Sequence, residues 1–525
     1  MPRHLAALLF ASVCFSALRP LYADVLVFKI PVTLGQGTGR GGGPGISPAP
    51  QGGGPGGPGM PGGPQDAQVA QLELTLQGRV QVNAGRTVSF VHQSLNQPLY
   101  FDLDSVQIKR VPTTQQTFNR MLGKATRDKN ADAVFQTAVW ALKKGLLKDY
   151  FRGVKQTLEI DPAHAAALRI SELKKEIDKP LPQSPDEEAA IRRIVKSNRM
   201  TVKRSNHFIL LHDTPAKPAE GRKKSRADER LALLEQVYES FLLLFDSQGI
   251  ELDIPKERLQ VVLFKEFQDF TSYATSLSPS LSSAAGFWEP TRNISVFYDH
   301  GTDEEFLALE KLQKELKTQA DESRRNVNAA TASTVRLSKT INLLIDVAQE
   351  NADIEVVSHE ATHQMAGNTG LFPRYVMIPS WVHEGLATYF ESPGDGAWGG
   401  IGAVNAQRLK WYRALENDRQ HSNINFIVGD QIFDFAKTNG ATLHGYGQAW
   451  ALTHFLLETH LKEFVAYYRM LGEMPPDAVL NPDLLTQLFD KVFGADRKQL
   501  DVEWRAYMRS LKTDLEQIEE DDGKG

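Results

Sequence analysis

Cysteine is almost missing from this chain. Its single copy, Cys14, lies inside an N-terminal apolar run. Once that run is removed, disulfides, thiolate metal ligands and a cysteine nucleophile are excluded. Charge of one sign is also scarce: 59 Lys and Arg against 64 Asp and Glu leave a net −5 over 525 residues. No basic field marks a nucleic-acid-binding protein, and the cluster Arg222-Lys223-Lys224 with Arg226 reads as a solvated loop. The N-terminal apolar run, Leu5 to Leu18, is too short for a stable bilayer anchor.

That run reads instead as an export signal. Arg3 and His4 precede it, and the small residue Ala23 marks the expected cleavage region, giving a signal over 1–23 and a location in the periplasm, at the cell surface or outside the cell. Leu21 stands where a small residue is preferred, so a signal left uncleaved would act as a membrane tether. Val13 before Cys14 disfavours lipidation, which calls for glycine or alanine there.

With 41% hydrophobic residues the chain can bury cores for two or three domains. Residues 24–65 hold a strand-like run, Asp24 to Thr33, and then a tract made largely of Gly and Pro. That tract breaks the collagen period at Gly41-Gly42-Gly43 and reads as a disordered linker. Alternating apolar and polar residues from Gln71 to Val111, with turn signals at Asn83-Ala84-Gly85 and Asn96-Gln97-Pro98, predict a small β domain of three or four strands within 66–112. Residues 113–185 turn helical. Ala141 to Pro162 resembles the second half of a tetratricopeptide repeat, which leaves a plain helical spacer and a protein-docking module both open.

The chemistry concentrates further on, at His359-Glu360-Ala361-Thr362-His363. Imidazoles four residues apart on a helix project from one face, close enough to hold one metal ion with a carboxylate beside them. Asp353 to Gly367 reads as that helix, with Asp353 as N-cap and Gly367 and Asn368 as its stop. The bland alternative is a surface helix that carries these residues by accident. A hydrolytic zinc needs a third protein ligand and an open position. Glu384, in the helix-like run Pro379 to Glu391 with its stripe of Trp381, Leu386, Tyr389 and Phe390, is the candidate.

HExxH followed about twenty residues later by the Trp381-to-Phe390 run resembles the gluzincin metallopeptidases, and most closely the peptidase-MA-like exported bacterial proteins of unknown function. The likeness covers roughly His207 to Phe455. It includes Leu231 to Leu244, Leu259 to Phe270, Ala285 to Pro290 and Ile294 to Tyr298, which resemble in order the helix and strands preceding the active-site helix. The resemblance implies an α+β metallopeptidase domain over 200–515, with Zn2+ on His359, His363 and Glu384, Glu360 as general base, and a peptide or protein as substrate. The metzincin pattern fails, because Ala366 and Thr369 stand where its glycine and third histidine belong. His383 is the rival ligand; adjacent helical residues point about 100° apart, and the resemblance favours Glu384.

Where well-studied gluzincins carry an aspartate that orients a zinc histidine, this chain has Thr388, so Thr388 or Glu391 must serve. Related enzymes use a downstream tyrosine or histidine to stabilise the oxyanion, which points to Tyr446 or His444; alternatively the run Leu443 to Gln448 simply caps a helix beginning near Gln448. Residues 303–349 form a charged helical insert, either a lid or part of the scaffold, with Leu307, Leu309, Leu312 and Leu316 on one stripe. Gln448 to Leu471 and Pro482 to Leu515 read as helices, and 516–525 as an acidic solvated tail. The reading from another class is a surface scaffold whose β and helical modules bind a partner, with the zinc site structural or vestigial.

Overall fold

The computed structural model describes residues 23–33, 69–83, 87–92, 98–195, 199–218, 222–324 and 329–523. The expected export signal up to residue 22, the Gly/Pro-rich tract and most of both predicted β turns lie outside them. Within them the protein is α+β.

The strand-like run after the signal does not stand apart. It forms β1 (Ala23–Thr33) and joins β2 (Val69–Asn83), β3 (Thr87–Val91), β4 (Leu99–Asp102) and β5 (Gln107–Val111) in one antiparallel sheet of order β4-β3-β2-β1-β5. The small β unit therefore has five strands, with β1 filling the gap between β2 and β5 and removing two unpaired edges. Its buried face comprises Leu76, Val88, Phe90, Leu99 and Phe101.

Helices α1 (Thr114–Arg127), α2 (Ala131–Lys143), α3 (Leu147–Ile160) and α4 (Ala165–Ile177) pack in sequence. A reciprocal Thr113–Gln116 capping box starts α1. The predicted repeat-like segment Ala141 to Pro162 spans the α2–α3 turn and α3. It is not a free module: α2 and α4 pack on the long helix of the next domain, where Tyr150 meets Ser247 through their hydroxyls at 2.8 Å and Arg169 donates to the Asp246 carbonyl at 2.8 Å. One apolar core runs through both.

After α5 (Glu187–Val195), the second sheet contains β6 (Thr201–Arg204), β7 (Phe208–His212), β8 (Leu259–Phe264), β9 (Gly286–Glu289) and β10 (Ile294–Tyr298), in the order β6-β7-β8-β10-β9. β7, β8 and β10 are parallel; β6 and β9 are antiparallel edges. The parallel strands are largely apolar because both faces are covered. Phe208, Leu210, Val261 and Leu263 face α6 (Arg226–Ser247), whereas Ile209, Leu211, Val262 and Phe264 face α5 and α7 (Phe267–Leu277). This alternation is the two-residue period of a strand.

The metal-motif helix is much longer than expected. α8 (Glu304–Arg324) packs along α9 (Ala329–Asn368), a 40-residue helix that carries the second part of the insert and the HExxH motif without interruption. Asp353 is thus no N-cap. It is buried in mid-helix, where its carboxylate accepts from Arg230 at 2.6 Å and from the His300 backbone N–H at 3.1 Å. Arg226 and Arg230 also reach Glu350, at 2.6 and 3.0 Å, and Arg222 pairs with Glu350 at 3.0 Å. Arg222 and Arg226 therefore leave the expected solvated loop to tie α6 to α9. The upstream half of α9 supports the β unit, with Leu343 and Val347 buried against its apolar face. Leu307 and Leu309 are exposed on α8.

α10 (Ser380–Phe390) follows, then the short pair β11 (Pro393–Gly394) and β12 (Ala397–Trp398), and the helices α11 (Ala406–Leu415), α12 (Ile424–Val428), α13 (Ile432–Thr438), α14 (Thr442–Thr459), α15 (Leu461–Gly472), α16 (Pro482–Phe493), α17 (Arg497–Ser510) and α18 (Asp514–Gly523). α14 begins six residues before the expected start at Gln448, because Ala441 rather than the glycine-flanked run marks its N-terminus. The acidic tail is helical, and Glu516 pairs with Arg413 at 2.5 Å.

The buried ion cluster sets an acid limit on stability. Burial alone would raise the Glu350 carboxyl, but Arg230 and Arg226 bring it down to about 2, and Asp353 is likewise held below its ordinary range. Depressed folded-state values contribute stability that is present above the ordinary value of 4.5 and lost as pH falls towards about 2. Glu350→Gln is expected to destabilise the protein by about 3–5 kcal/mol at pH 7. That difference should shrink towards pH 3, as followed by urea unfolding of both chains across this range.

Candidate metal centre

α9 is held against the sheet by the residues between and after its histidines. Ala361, Met365 and Ala366 are buried, and the Gln364 amide donates to the carbonyls of Gln260 at 3.0 Å and Asn293 at 3.1 Å. The helix is thereby fixed to the ends of β8 and β10, and His359 and His363 meet Glu384 of α10. Gly286 lets β9 lie close beneath it, since a Cβ there would sit 2.6 Å from Val356 Cγ1 and 3.3 Å from Glu360 Cγ.

α10 is held equally tightly. The Asp430 carboxylate accepts the Ser380 and Trp381 backbone N–H groups at 2.9 and 3.0 Å, which caps the first turn as no local residue does. Gly385 allows close approach to α14, because a Cβ there would lie 2.1 Å from Thr453 Oγ1 and 2.9 Å from the Ala449 carbonyl. Glu384, one residue earlier, faces α9.

The result is a convergent triad. Nε2 of His363 lies 3.0 Å from Nε2 of His359, and the Glu384 oxygens lie 3.1 Å from His359 and 3.9 Å from His363. Ligand atoms at about 2.0–2.1 Å from a tetrahedral zinc are themselves about 3.3 Å apart, so these separations suit one ion. Among the described residues this is the one group of three His, Cys, Asp or Glu ligand atoms lying within 4.8 Å of one another. His383 does not join it. Its ring stacks on His363 with centroids 3.8 Å apart, in contact with Trp288 and Phe372.

Of the two residues offered to orient a histidine, the geometry selects Glu391. Its Oε1 lies 2.5 Å from Nδ1 of His359, whereas the Thr388 hydroxyl donates to the Gly385 carbonyl of its own helix. Glu391 Oε2 in turn accepts from Nε and NH2 of Arg408 at 3.0 and 2.7 Å, and Arg408 also donates to Glu355 Oε1 at 2.8 Å. Arg408, Glu355, Asp430 and Gln364 were all missed by sequence reasoning, since none belongs to a motif.

The charges follow from burial and neighbours. Burial would lower His359, but its hydrogen bonds to Glu384 and Glu391 raise it well above its ordinary value, so a proton is held where the donor set calls for positive charge. Burial, with His383 and His359 close by, holds His363 low and neutral. Burial and the Glu384 charge push Glu360 up to about 7, against the hydrogen bond from the Trp288 backbone N–H. Tyr446 lies in the field of Glu384, which together with burial keeps its hydroxyl protonated. Its ring sits over Arg408, with the guanidinium carbon 5.3 Å from the centroid. His444, two residues before Tyr446 on α14, packs against Trp411 instead, and no contact ties it to the triad among the described residues.

These positions separate the rival ligands. Glu384→Ala is expected to weaken zinc binding by more than the about 10–100-fold typical of losing an outer partner. His383→Ala should retain one zinc per chain. Competition with a chromophoric chelator checks both, and the reverse pattern would reassign the third ligand.

The profile of a family described as "Protein of unknown function (DUF1570)" matches residues 353–478, a segment that holds both histidines, Glu360, Glu384, Glu391, Arg408 and Tyr446. No curated protein and no solved structure matches the chain.

Proposed function

We propose that this chain is an exported zinc-dependent peptidase. The observation that carries the reading is the triad: two imidazoles from one helix and a carboxylate from another, spaced for one tetrahedral ion, with a buried acid between the histidines in sequence. Zinc held there would supply a Lewis acid and bring the pKa of a water towards neutrality.

The remaining work falls to the chain. Glu360 takes the proton of the attacking water and delivers it to the departing amine, which balances the hydrolysis without another acid. The Trp288 N–H holds the Glu360 carboxylate in place. Trp288 lies on β9, an edge strand, and main-chain groups on such an edge suit an extended peptide substrate. Tyr446 donates to the oxyanion that forms on the scissile carbonyl; its protonated hydroxyl near Glu384 suits that task. His444 has no such place.

Zinc content of the purified chain is the first test, and a chain that takes up none after reconstitution returns attention to the β and helical modules as a binding surface. With zinc present, Glu360→Gln is expected to lower turnover of a peptide library by about 10²–10⁴-fold while metal content and melting stay as in the wild type. Tyr446→Phe should lower kcat by about 10²–10³-fold with zinc retained, and His444→Ala should change neither.

A further inference from the structure

His359 is fixed by more than its immediate neighbour. Glu391 reaches it with one oxygen, and the other oxygen receives two hydrogen bonds from Arg408. Arg408 itself has little freedom. It is 8% exposed, and its backbone N–H lies in the first turn of α11, where it donates to the Asn405 side chain at 3.2 Å. The guanidinium spans two carboxylates that come from different helices, Glu355 on α9 and Glu391 just past the end of α10. These are the helices that supply the three ligand atoms.

We propose that Arg408 is a positioning residue of the metal centre. By holding the far oxygen of Glu391 it sets the direction of the near oxygen, and so the tilt of the His359 ring and the place of Nε2. By bridging Glu355 to Glu391 it also fixes the separation of the two ligand helices at the level of the site. The inference rests on the zinc-peptidase reading above. Glu391 carries one negative charge and is asked to orient a ligand without becoming one; a guanidinium on its outer oxygen keeps that oxygen occupied. The task needs a planar fork that reaches one carboxylate with Nε and NH2 and a second with the same NH2. A lysine ammonium is a point charge with no such geometry.

The test uses the full chain and two variants, Arg408→Met and Arg408→Lys. Zinc affinity is measured by chelator competition, and the visible absorption of the cobalt-substituted protein reports ligand geometry independently of activity. Arg408→Met is expected to weaken zinc binding by about 10–100-fold, with an altered cobalt spectrum and wild-type circular dichroism. If the methionine variant fails to fold, Arg408→Lys carries the test: it keeps the buried positive charge and should still lose affinity several-fold with a shifted spectrum. Wild-type affinity and an unchanged cobalt spectrum in Arg408→Lys would overturn the proposal. A wild-type chain that takes up no zinc fails at an earlier step, overturning the peptidase reading and this inference with it.

Discussion

Everything at the site depends on holding two helices in register to within an ångström. His359 and His363 face one another because they are a helical turn apart; nothing local brings Glu384 to them. The distance is set by anchors spaced along both helices. Arg226 and Arg230 grip α9 through Glu350 and Asp353, two turns before the first histidine. Gln364 grips it on the sheet side, one residue after the second. α10 is held by Asp430 at its start and by the absence of a side chain at Gly385, where it meets α14. Each anchor is long-range in sequence, and Arg230, Asp353 and Gln364 are buried, the kind of contact that is costly to break and insensitive to surface motion.

How much of this was legible beforehand follows from the range of each interaction. The spacing of His359 and His363 and the apolar stripe of α10 are local patterns, and both elements form where those patterns place them. Glu391 was visible as one of two choices, and Thr388 lost because a helical hydroxyl has its own carbonyl three residues back to satisfy. Asp353 was misread for a related reason. An aspartate before an apolar helical run has the composition of an N-cap, and only its arginine partners 123 and 127 residues earlier show that it is a buried ion in a continuing helix. The length of α9 was hidden likewise, since its upstream part meets both the β unit, through Leu343 and Val347, and α8, and no single apolar stripe marks it as one helix with the motif. Arg408 left no trace: an arginine in Ala406–Leu415 looks like any amphipathic helix residue until Glu355 and Glu391 are placed beside it.

The charge around the triad is arranged in layers. Glu384 faces His359 and His363 directly; Glu391 and Glu355 stand behind, and Arg408 lies between them. Without the guanidinium these two buried carboxylates would repel each other and compete for protons. Even with it, burial and the Glu391 charge push Glu355 up to about 7, whereas Arg408 draws Glu391 below its ordinary value. The guanidinium therefore acts mainly on the carboxylate that touches His359. Tyr446 rests on the same guanidinium face, so the group proposed to position His359 also supports the ring proposed to face the oxyanion.

The architecture also bears on whether a metal here would be structural. Structural zinc sites close their coordination with a fourth protein ligand, whereas hydrolytic sites leave one position open. Three donors converge on one point in this fold, and the nearest additional imidazole, His383, is turned aside and stacked on His363. Around that point stand Glu360, Tyr446 and the Trp288 backbone N–H on an edge strand, the groups proposed above as base, oxyanion donor and substrate edge. A site meant only to brace two helices has little use for any of them: α9 and α10 are already braced by the ion cluster, Gln364, Asp430 and Gly385. With the scaffold held by those contacts, the triad is not needed to join the two helices, which favours the hydrolytic reading proposed above over a structural one.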